Sequence, residues 1–206
     1  MLMKITIANP SKELHEVFSW QFREISEVDC HHGKFEEVYG FDCVATAGNS
    51  FGLMDAGMDL AVVKFFNRDL MEGIQQHILR SYLGEQPVGT AFIAETDDVR
   101  HPYVIHAPTM RAPMNINGTD NIYNAMWAVM IAVHQHNLTA SKKIEHLVTS
   151  SFGTGTGGVS GLESSLQMKL AIQHFLSPPE YINPSLAQQR HETVYYGGKW
   201  GADNPR

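Results

Sequence analysis

The sequence has little of what membrane, secreted and nucleic-acid-binding proteins usually contain. It has two cysteines, no uninterrupted run of about eighteen apolar residues, and no basic leader before an apolar segment. Its net charge of −7 comes without a basic cluster, which argues against nucleic acid as the main partner. Cys30 and Cys43 have no C-x-x-C spacing. We therefore expect a cytoplasmic protein with reduced cysteines, no membrane partner, and a disulfide only as the minor alternative.

Histidine is abundant, but its spacing does not suit a metal centre. None of the 11 histidines belongs to an H-E-x-x-H motif. His31 and His32 are adjacent, and His134 and His136 are two apart, so each pair would point to different sides of a strand or helix. We expect neither a metal site nor a bound cofactor.

The length and composition suit one globular domain. At 206 residues, of which 43% are hydrophobic, the chain can bury a substantial core. We expect one domain over residues 1–178 and a partly ordered C-terminal extension over 179–206. In that extension, residues 192–196 can form a strand, and residues 197–206 are expected to be a loosely held tail.

Hydrophobic periodicity alternates between the strand and helix periods along the chain. Strands are predicted at residues 1–8, 27–32, 41–47, 88–96, 101–108 and 144–150, the fourth and fifth forming a hairpin. Helices are predicted after Ser11, from about Asp55 to Leu83, over 122–133 and from Gly161. This order predicts a three-layer α/β/α sandwich with a central mixed, mostly parallel sheet.

A glycine-rich segment, SSFGTGTGGVSGLES at residues 150–164, connects the last predicted strand to a helix. Ser160 and Glu163 have the spacing that caps a first helical turn, so the helix should begin near Gly161. Glycines before a helix can direct backbone N–H groups at an anion. A tight loop without a ligand explains the glycines about as well.

Two familiar nucleotide motifs do not explain this segment. Gly153, Gly155 and Gly158 match G-x-G-x-x-G, but the acidic residue about twenty positions further on and the following strand are missing. No Lys-Ser or Lys-Thr pair follows the glycines, which excludes a Walker-type loop.

Three unusual loops follow predicted strands and should therefore open on one edge of the sheet. Their sequences are AGNSFGLMDAG, HAPTMRAP and SFGTGTGGVS. Together they resemble the macro domain family, which binds ADP-ribose. Residues 43–62 are similar to the family's strand ending in N-A-A-N with a following Val-Asp turn, and VIHAPTM is similar to its His-x-x-Gly-Pro strand end. Residues 153–160 are similar to its second phosphate loop.

The resemblance covers most of residues 27–177 and is most specific to a divergent macro-like branch of bacteria and phages. It implies the macro-domain fold and a crevice for ADP-ribose or a related NAD-derived nucleotide. The catalytic positions that it implies are Asn49 and Asp59. The ligand-binding positions that it implies are Gly48, Ser50, Phe51, Gly52, Asp55, Ala56, Gly57, His106, Ala107, Pro108, Phe152, Gly153, Thr154, Gly155, Thr156, Gly157, Gly158 and Val159.

Three positions depart from the family pattern. Lys34 stands where many members have the acidic residue that reads adenine. Gly157 and Val159 stand where aromatic residues usually pack against the distal ribose, which would widen that side of the crevice. Phe51 or Phe152 can replace those aromatics, although packing is the simpler role for both.

The sequence leaves three functions open: an ADP-ribosyl hydrolase acting on an ADP-ribosylated macromolecule or ester, a binding module without catalysis, and a structural or assembly protein that keeps only the fold. In hydrolytic family members, residues like Asn49 and Asp59 position a water. The alternative for Asn49 is an amide that bonds its own turn. His106 is expected to be structural. Arg111 is expected either to contact a phosphate or a carboxylate or to have only a surface role.

Overall fold

The computed structural model describes residues 3–67, 69–196 and 199–200. Its main sheet has six strands: β1 (Lys4–Asn9), β2 (Val28–His32), β3 (Cys43–Thr46), β4 (Phe92–Glu95), β5 (Tyr103–His106) and β6 (His146–Thr149). Their spatial order is β2-β1-β6-β3-β5-β4. Neighbours are parallel except β4 and β5, which pair antiparallel as the predicted hairpin. The sheet is therefore mixed and mostly parallel, as predicted.

Six α-helices accompany the sheet. They are α1 (Lys12–Phe22), α2 (Gly57–Phe66), α3 (Asp69–Ser81), α4 (Asn121–Thr139), α5 (Gly161–Leu176) and α6 (Pro184–Thr193), with a 3₁₀ helix at Phe35–Glu37. The helix after the glycine-rich loop begins at Gly161, where Ser160 Oγ accepts a hydrogen bond from Glu163 N at 3.2 Å. This start agrees with the prediction.

Two buried clusters pack on opposite faces of the sheet. One face is covered by α1, α4 and α5, whose apolar side chains include Phe18, Met126 and Met168. The other face is covered by α2, α3 and the 3₁₀ helix. A sheet whose side chains are buried on both faces explains the continuous apolar character of its central strands. The three-layer α/β/α prediction is confirmed.

One predicted helix is wrong, because the stripe from Asp55 to Leu83 belongs to two helices. α2 ends at Phe66, and Asn67 has a φ of 141°, in the region that favours glycine. The side chain of Asn67 accepts a hydrogen bond from Asp69 N at 2.9 Å and so begins α3. The apolar stripe continues across the break because both helices bury the same side against the sheet.

The C-terminal segment contains α6 and a small hairpin of β7 (Tyr195–Tyr196) and β8 (Lys199–Trp200). The predicted strand at 192–196 is therefore present in shortened form. Most of the predicted tail at 197–206 lies outside the described residues. Both cysteines are free thiols, Cys43 fully buried and Cys30 partly so. No helix in the described part of the chain is long and apolar enough to cross a membrane.

Candidate functional site

The three predicted loops open on one cavity at the carboxyl edge of the sheet, with a volume of about 570 Å³. Such a volume suits a nucleotide-sized ligand. The loop after β3 lines it with residues 47–49, Leu53 and the first turn of α2. The loop after β6 contributes residues 150–151 and 153–157, and the loop after β5 contributes Thr109, Met110 and Pro113. The prediction that these loops share one edge is confirmed.

Glycines at positions 153, 157 and 158 of the β6 loop leave no room for a side chain, so the loop presents its backbone there. Gly153 and Gly158 have φ values of 70° and 66°. A Cβ at Gly153 would overlap the side chain of Ile122, and one at Gly157 would overlap the carbonyl oxygen of Gly153. An aromatic residue at position 157 is therefore incompatible with this turn, which accounts for the departure from the family pattern there.

The same loop is fixed to the core by Phe152. Its ring is fully buried, its carbonyl accepts a hydrogen bond from Ser164 Oγ at 2.7 Å, and its N–H donates to Met168 Sδ at 3.4 Å. Val159 is likewise buried, and Gly158 packs against Asn115. These three predicted ligand residues do not line the cavity, and they pack the loop against the rest of the protein.

Asn49 shapes the β3 loop with its own side chain. Its Oδ1 accepts hydrogen bonds from the N–H groups of Phe51 and Leu53 at 3.1 and 3.3 Å. Its Nδ2 donates to the carbonyl oxygen of Leu53 at 3.0 Å. Asn49 lines the cavity, but one hydrogen of its amide is all that this turn leaves for a ligand. The turn-forming interpretation of this residue is the one observed.

Asp59 lies in the first turn of α2 and reaches the cavity from a nearly buried position. Burial raises the pKa of its carboxyl to about 7; the Thr46 hydroxyl, which bonds the carboxylate, opposes this shift and the charge of Asp55 adds to it. Its Oδ1 is buried without a hydrogen-bond partner in the described structure. The carboxyl is therefore able to exchange a proton near neutral pH.

His106 lies directly behind Gly48 and does not line the cavity. Its Nδ1 bonds Gln86 Oε1 at 2.7 Å, while Gln86 Nε2 donates to the carbonyl oxygens of Thr90 and His106. Because the Gln86 oxygen can only accept, Nδ1 carries the proton, and Nε2 is a buried lone pair without a partner among described residues. Burial lowers the pKa of His106 to about 4, so the ring is neutral and structural, as expected.

Several other predicted ligand residues also lie outside the cavity wall, which corrects their predicted position. Ser50, Ala107 and Pro108 are buried, and Gly52 packs against Ile74 and Ile78 of α3. Phe51 is 38% exposed, but it does not face the cavity. The predicted residues that do line the cavity are Gly48, Asn49, Asp55, Ala56, Gly57, Asp59, Gly153, Thr154, Gly155, Thr156 and Gly157.

Arg111 pairs with a carboxylate outside the cavity. Its guanidinium pairs with Glu85, with Nε to Oε1 at 2.6 Å and an Nη2 to Oε2 hydrogen bond at 2.8 Å, and its side chain is 70% exposed. Arg111 therefore contacts a carboxylate at the protein surface, and neither residue lines the cavity.

Apart from Lys34, the sequence interpretation missed one further wall of the cavity. It is built from the turn between β1 and α1 and from the segment after β2: Ala8, Asn9, Pro10, Ser11, Leu14, Lys34, Phe35 and Glu36. Lys64 of α2 completes this side. The signal was present, because Asn9 also ends a parallel strand on the same edge.

Comparisons with known proteins agree with this geometry. The family model of the Macro domain matches residues 45–167, which is more than half of the chain. The macrodomain of Mycobacterium tuberculosis DarG is similar with a TM-score of 0.56 and 18% identity, over 69% of this chain and 87% of that one.

Two solved structures with a nucleotide are also similar. An Oceanobacillus iheyensis macrodomain mutant with ADPR has a TM-score of 0.57 and 19% identity, over 68% of this chain and 73% of that one. Thermosipho africanus DarTG in complex with ADP-ribose has a TM-score of 0.55 and 15% identity, over 72% of this chain and 41% of that one. At these identities the structures support the fold, and the family model supports the assignment. The chain belongs to the macro domain family.

Proposed function

We propose that the cavity binds ADP-ribose or a related NAD-derived nucleotide. The observation that carries the proposal is the pair of loops after β3 and β6, which line one cavity of about 570 Å³. The β6 loop offers backbone N–H groups, and the β3 loop leads into the N-terminus of α2. These donors bind a pyrophosphate without an arginine clamp, which suits a protein with a net charge of −7.

The positions of the side chains orient the ligand. The pyrophosphate lies along Gly153–Gly157, and the distal ribose lies beside Asn49 and Asp59, as resemblance to the family suggests. The nucleoside half then points to the opposite side, where β1 and β2 end. The Oceanobacillus iheyensis macrodomain mutant solved with ADPR, although distant in sequence, supports a nucleotide ligand for this fold.

We further propose that the protein hydrolyses an ADP-ribosyl linkage, with Asp59 as general base. Its carboxylate takes a proton from a water whose oxygen attacks the anomeric carbon of the distal ribose, and the attached group leaves with the electron pair of the broken bond. With a pKa of about 7, Asp59 is ionised in mildly alkaline solution and still basic enough to accept the proton. The substrate is an ADP-ribosylated macromolecule or ester.

A binding module without catalysis is the second candidate, and the engagement of Asn49 favours it. The amide of Asn49 makes three hydrogen bonds within its own turn, which leaves a single hydrogen to orient a water. In this case the cavity recognises the nucleotide and releases it unchanged.

Calorimetric titration with ADP-ribose, AMP and NAD tests binding, and turnover of mono-ADP-ribosylated protein tests hydrolysis. For a hydrolase, Asp59→Asn binds ADP-ribose within about threefold of wild type and loses turnover by about 100-fold or more, as expected for a lost general base. Asn49→Ala should lose binding and turnover together, because its turn loses three hydrogen bonds.

Each outcome selects one function. Binding without turnover in the wild type identifies the binding module. Absence of binding to all three nucleotides contradicts the proposal and leaves a structural or assembly role. Full turnover by Asp59→Asn contradicts the assigned base.

A further inference from the structure

A further loop opens on the cavity besides those after β3, β5 and β6. It is the turn from β1 to α1, whose residues Asn9, Pro10 and Ser11 lie in the cavity wall. In the strand order β2-β1-β6-β3, this turn is separated from the β3 loop by the β6 loop. It therefore contacts the nucleoside half of a ligand whose distal ribose lies beside Asp59.

Asn9 carries a buried donor that has no acceptor. The residue is 1% exposed, and its Oδ1 accepts a hydrogen bond from Ser151 N at 3.3 Å, which fixes the direction of the amide. Its Nδ2 is buried without a hydrogen-bond partner in the described part of the protein. Buried donors in native proteins are nearly always paired, so a water or a ligand atom from outside the chain completes this one.

The N-terminus of α1 adds a favourable field at the same place. Ser11 is the N-cap of this helix of 11 residues, and its Oγ accepts a hydrogen bond from Leu14 N at 3.4 Å. The other N–H groups of a first helical turn have no partner within the helix, and their dipoles favour an anion.

Two lysines line the same end of the cavity. The N–H of Gly33 donates to the carbonyl oxygen of Asn9 at 3.1 Å, which places Lys34 next to the β1 turn. Phe35, which follows Lys34, packs edge to face against Phe65, which follows Lys64, with ring centroids 5.4 Å apart, so the segments that carry the two lysines are in contact.

These charges are not neutralised within the wall. Neither Lys34 nor Lys64 forms an ion pair with another described residue. Glu36 lines the same end, and the carboxylate of Glu37 accepts a hydrogen bond from the backbone N–H of Lys34 at 3.2 Å, so charges of both signs meet there and the two lysines supply its cations.

We infer that this end of the cavity, formed by Asn9, the N-terminus of α1, Lys34 and Lys64, binds an additional phosphate on the nucleoside ribose of the ligand. The preferred ligand is then an ADP-ribose-type nucleotide with a phosphate monoester at the 2′ or 3′ position. The inference rests on the proposed function, because the pyrophosphate loops must hold the rest of the nucleotide. A doubly charged phosphate can accept hydrogen bonds from all of these donors, whereas an unmodified ribose leaves the exposed lysines to solvent.

Calorimetric titration with 5′-AMP, adenosine 2′,5′-bisphosphate and adenosine 3′,5′-bisphosphate tests the inference. One bisphosphate should bind at least about tenfold more tightly than AMP, as one or two charge-assisted hydrogen bonds provide. The tighter isomer identifies the ribose position. Equal affinity of AMP and both bisphosphates overturns the inference.

Two variants assign the effect to these residues. Asn9→Asp keeps the acceptor for Ser151 N but replaces the free donor with a carboxylate, so the preference for the bisphosphate should disappear. The double variant Lys34→Gln/Lys64→Gln should lower the preference about tenfold. Lys143→Gln is the matched control, because this lysine precedes β6 at the opposite edge of the sheet and should retain the full preference.

The outcomes separate this inference from the proposed function. A bisphosphate preference that survives both Asn9→Asp and the double lysine variant overturns the inference even if ADP-ribose binds. If AMP and ADP-ribose bind but the bisphosphates bind no more tightly, only the inference fails. If none of the four nucleotides binds the wild type, the proposed function fails and this inference with it.

Discussion

The cavity wall has no room for a side chain at Gly48, because two buried side chains lie next to its α-carbon. A Cβ at this position would overlap Nε2 of His106 and would lie 3.3 Å from Oδ2 of Asp59. Gly155, in the neighbouring loop, has open space around the same position. The two glycines therefore differ in what they permit, although both line the cavity.

Gly48→Ala should lower the free energy of unfolding by about 1–3 kcal/mol, because the fully buried imidazole must move. Urea unfolding measures this loss. The matched control Gly155→Ala should stay within about 0.5 kcal/mol of wild type. An equal loss in both variants would contradict the placement of His106 behind Gly48.

Asp59 makes stability depend on pH in a direction opposite to that of most carboxylates. Its folded pKa of about 7 lies above its ordinary value of 3.8, so between these values the folded protein holds a proton that the unfolded chain has released. The contribution of this group to the free energy of unfolding is therefore full below pH 3.8. It decreases as pH rises toward 7, by up to about 1.4 kcal/mol per pH unit.

Asp59→Asn removes this penalty, so the variant should gain stability relative to wild type between pH 5 and pH 7, on the order of 1–3 kcal/mol. Denaturant unfolding across this range measures the difference. His106, whose pKa burial lowers to about 4, is present in both proteins and cancels to first order. A difference independent of pH would refute the raised pKa.

At the scale of elements, the break between α2 and α3 depends on Asn67. Its φ of 141° is costly for any residue with a side chain, while its Oδ1 supplies the cap for Asp69 N. Hydrophobic periodicity could not reveal this break, because the residues on either side face the same buried layer. A single asparagine with an unusual backbone angle has no strong signature in one sequence.

Asn67→Ala should destabilise the protein by about 1 kcal/mol, because the cap is lost and the unfavourable φ remains. Asn67→Gly also loses the cap but relieves the backbone, so its effect should be smaller. Thermal unfolding of both variants measures the difference. A glycine variant less stable than the alanine variant would contradict the role of φ.

The loops show a similar division between local and distant causes. The start of α5 at Gly161 could be predicted, because Ser160 and Glu163 provide the cap locally. The burial of three residues behind the wall could not be predicted, namely Phe152, Val159 and His106. It depends on contacts with α5 and with Gln86 that form only when the chain packs. A strand-end residue and its neighbour point to opposite faces, and one sequence does not say which face meets the ligand.

At the scale of the whole molecule, the cavity joins loops that are far apart in the chain. The turns after β1, β3 and β6 meet at one edge because their strands are parallel and adjacent in the order β1-β6-β3. A ligand that contacts all three loops should restrict them together.

Saturating ADP-ribose should therefore slow amide hydrogen exchange in residues 9–12, 48–60 and 151–158 together. The β4–β5 turn at 97–101 lies at the other end of the hairpin and outside the cavity, so it serves as the internal control. Hydrogen-exchange mass spectrometry measures these segments. Protection of the glycine-rich loop alone would argue against a ligand that spans the crevice.

The sequence by itself determined the α/β architecture, the hairpin, the start of α5 and the edge on which the loops after β3, β5 and β6 open. Periodicity, helix caps and strand direction are local or follow from chain order. Only the tertiary structure decided which residues of those loops line the cavity. It alone placed Asn9, Lys34 and Lys64 at one end, engaged Asn49 in its own turn and buried Asp59 beside His106. These are outcomes of packing between segments distant in sequence. Burial of this kind raises the pKa of Asp59 and leaves the Asn9 donor unpaired among described residues.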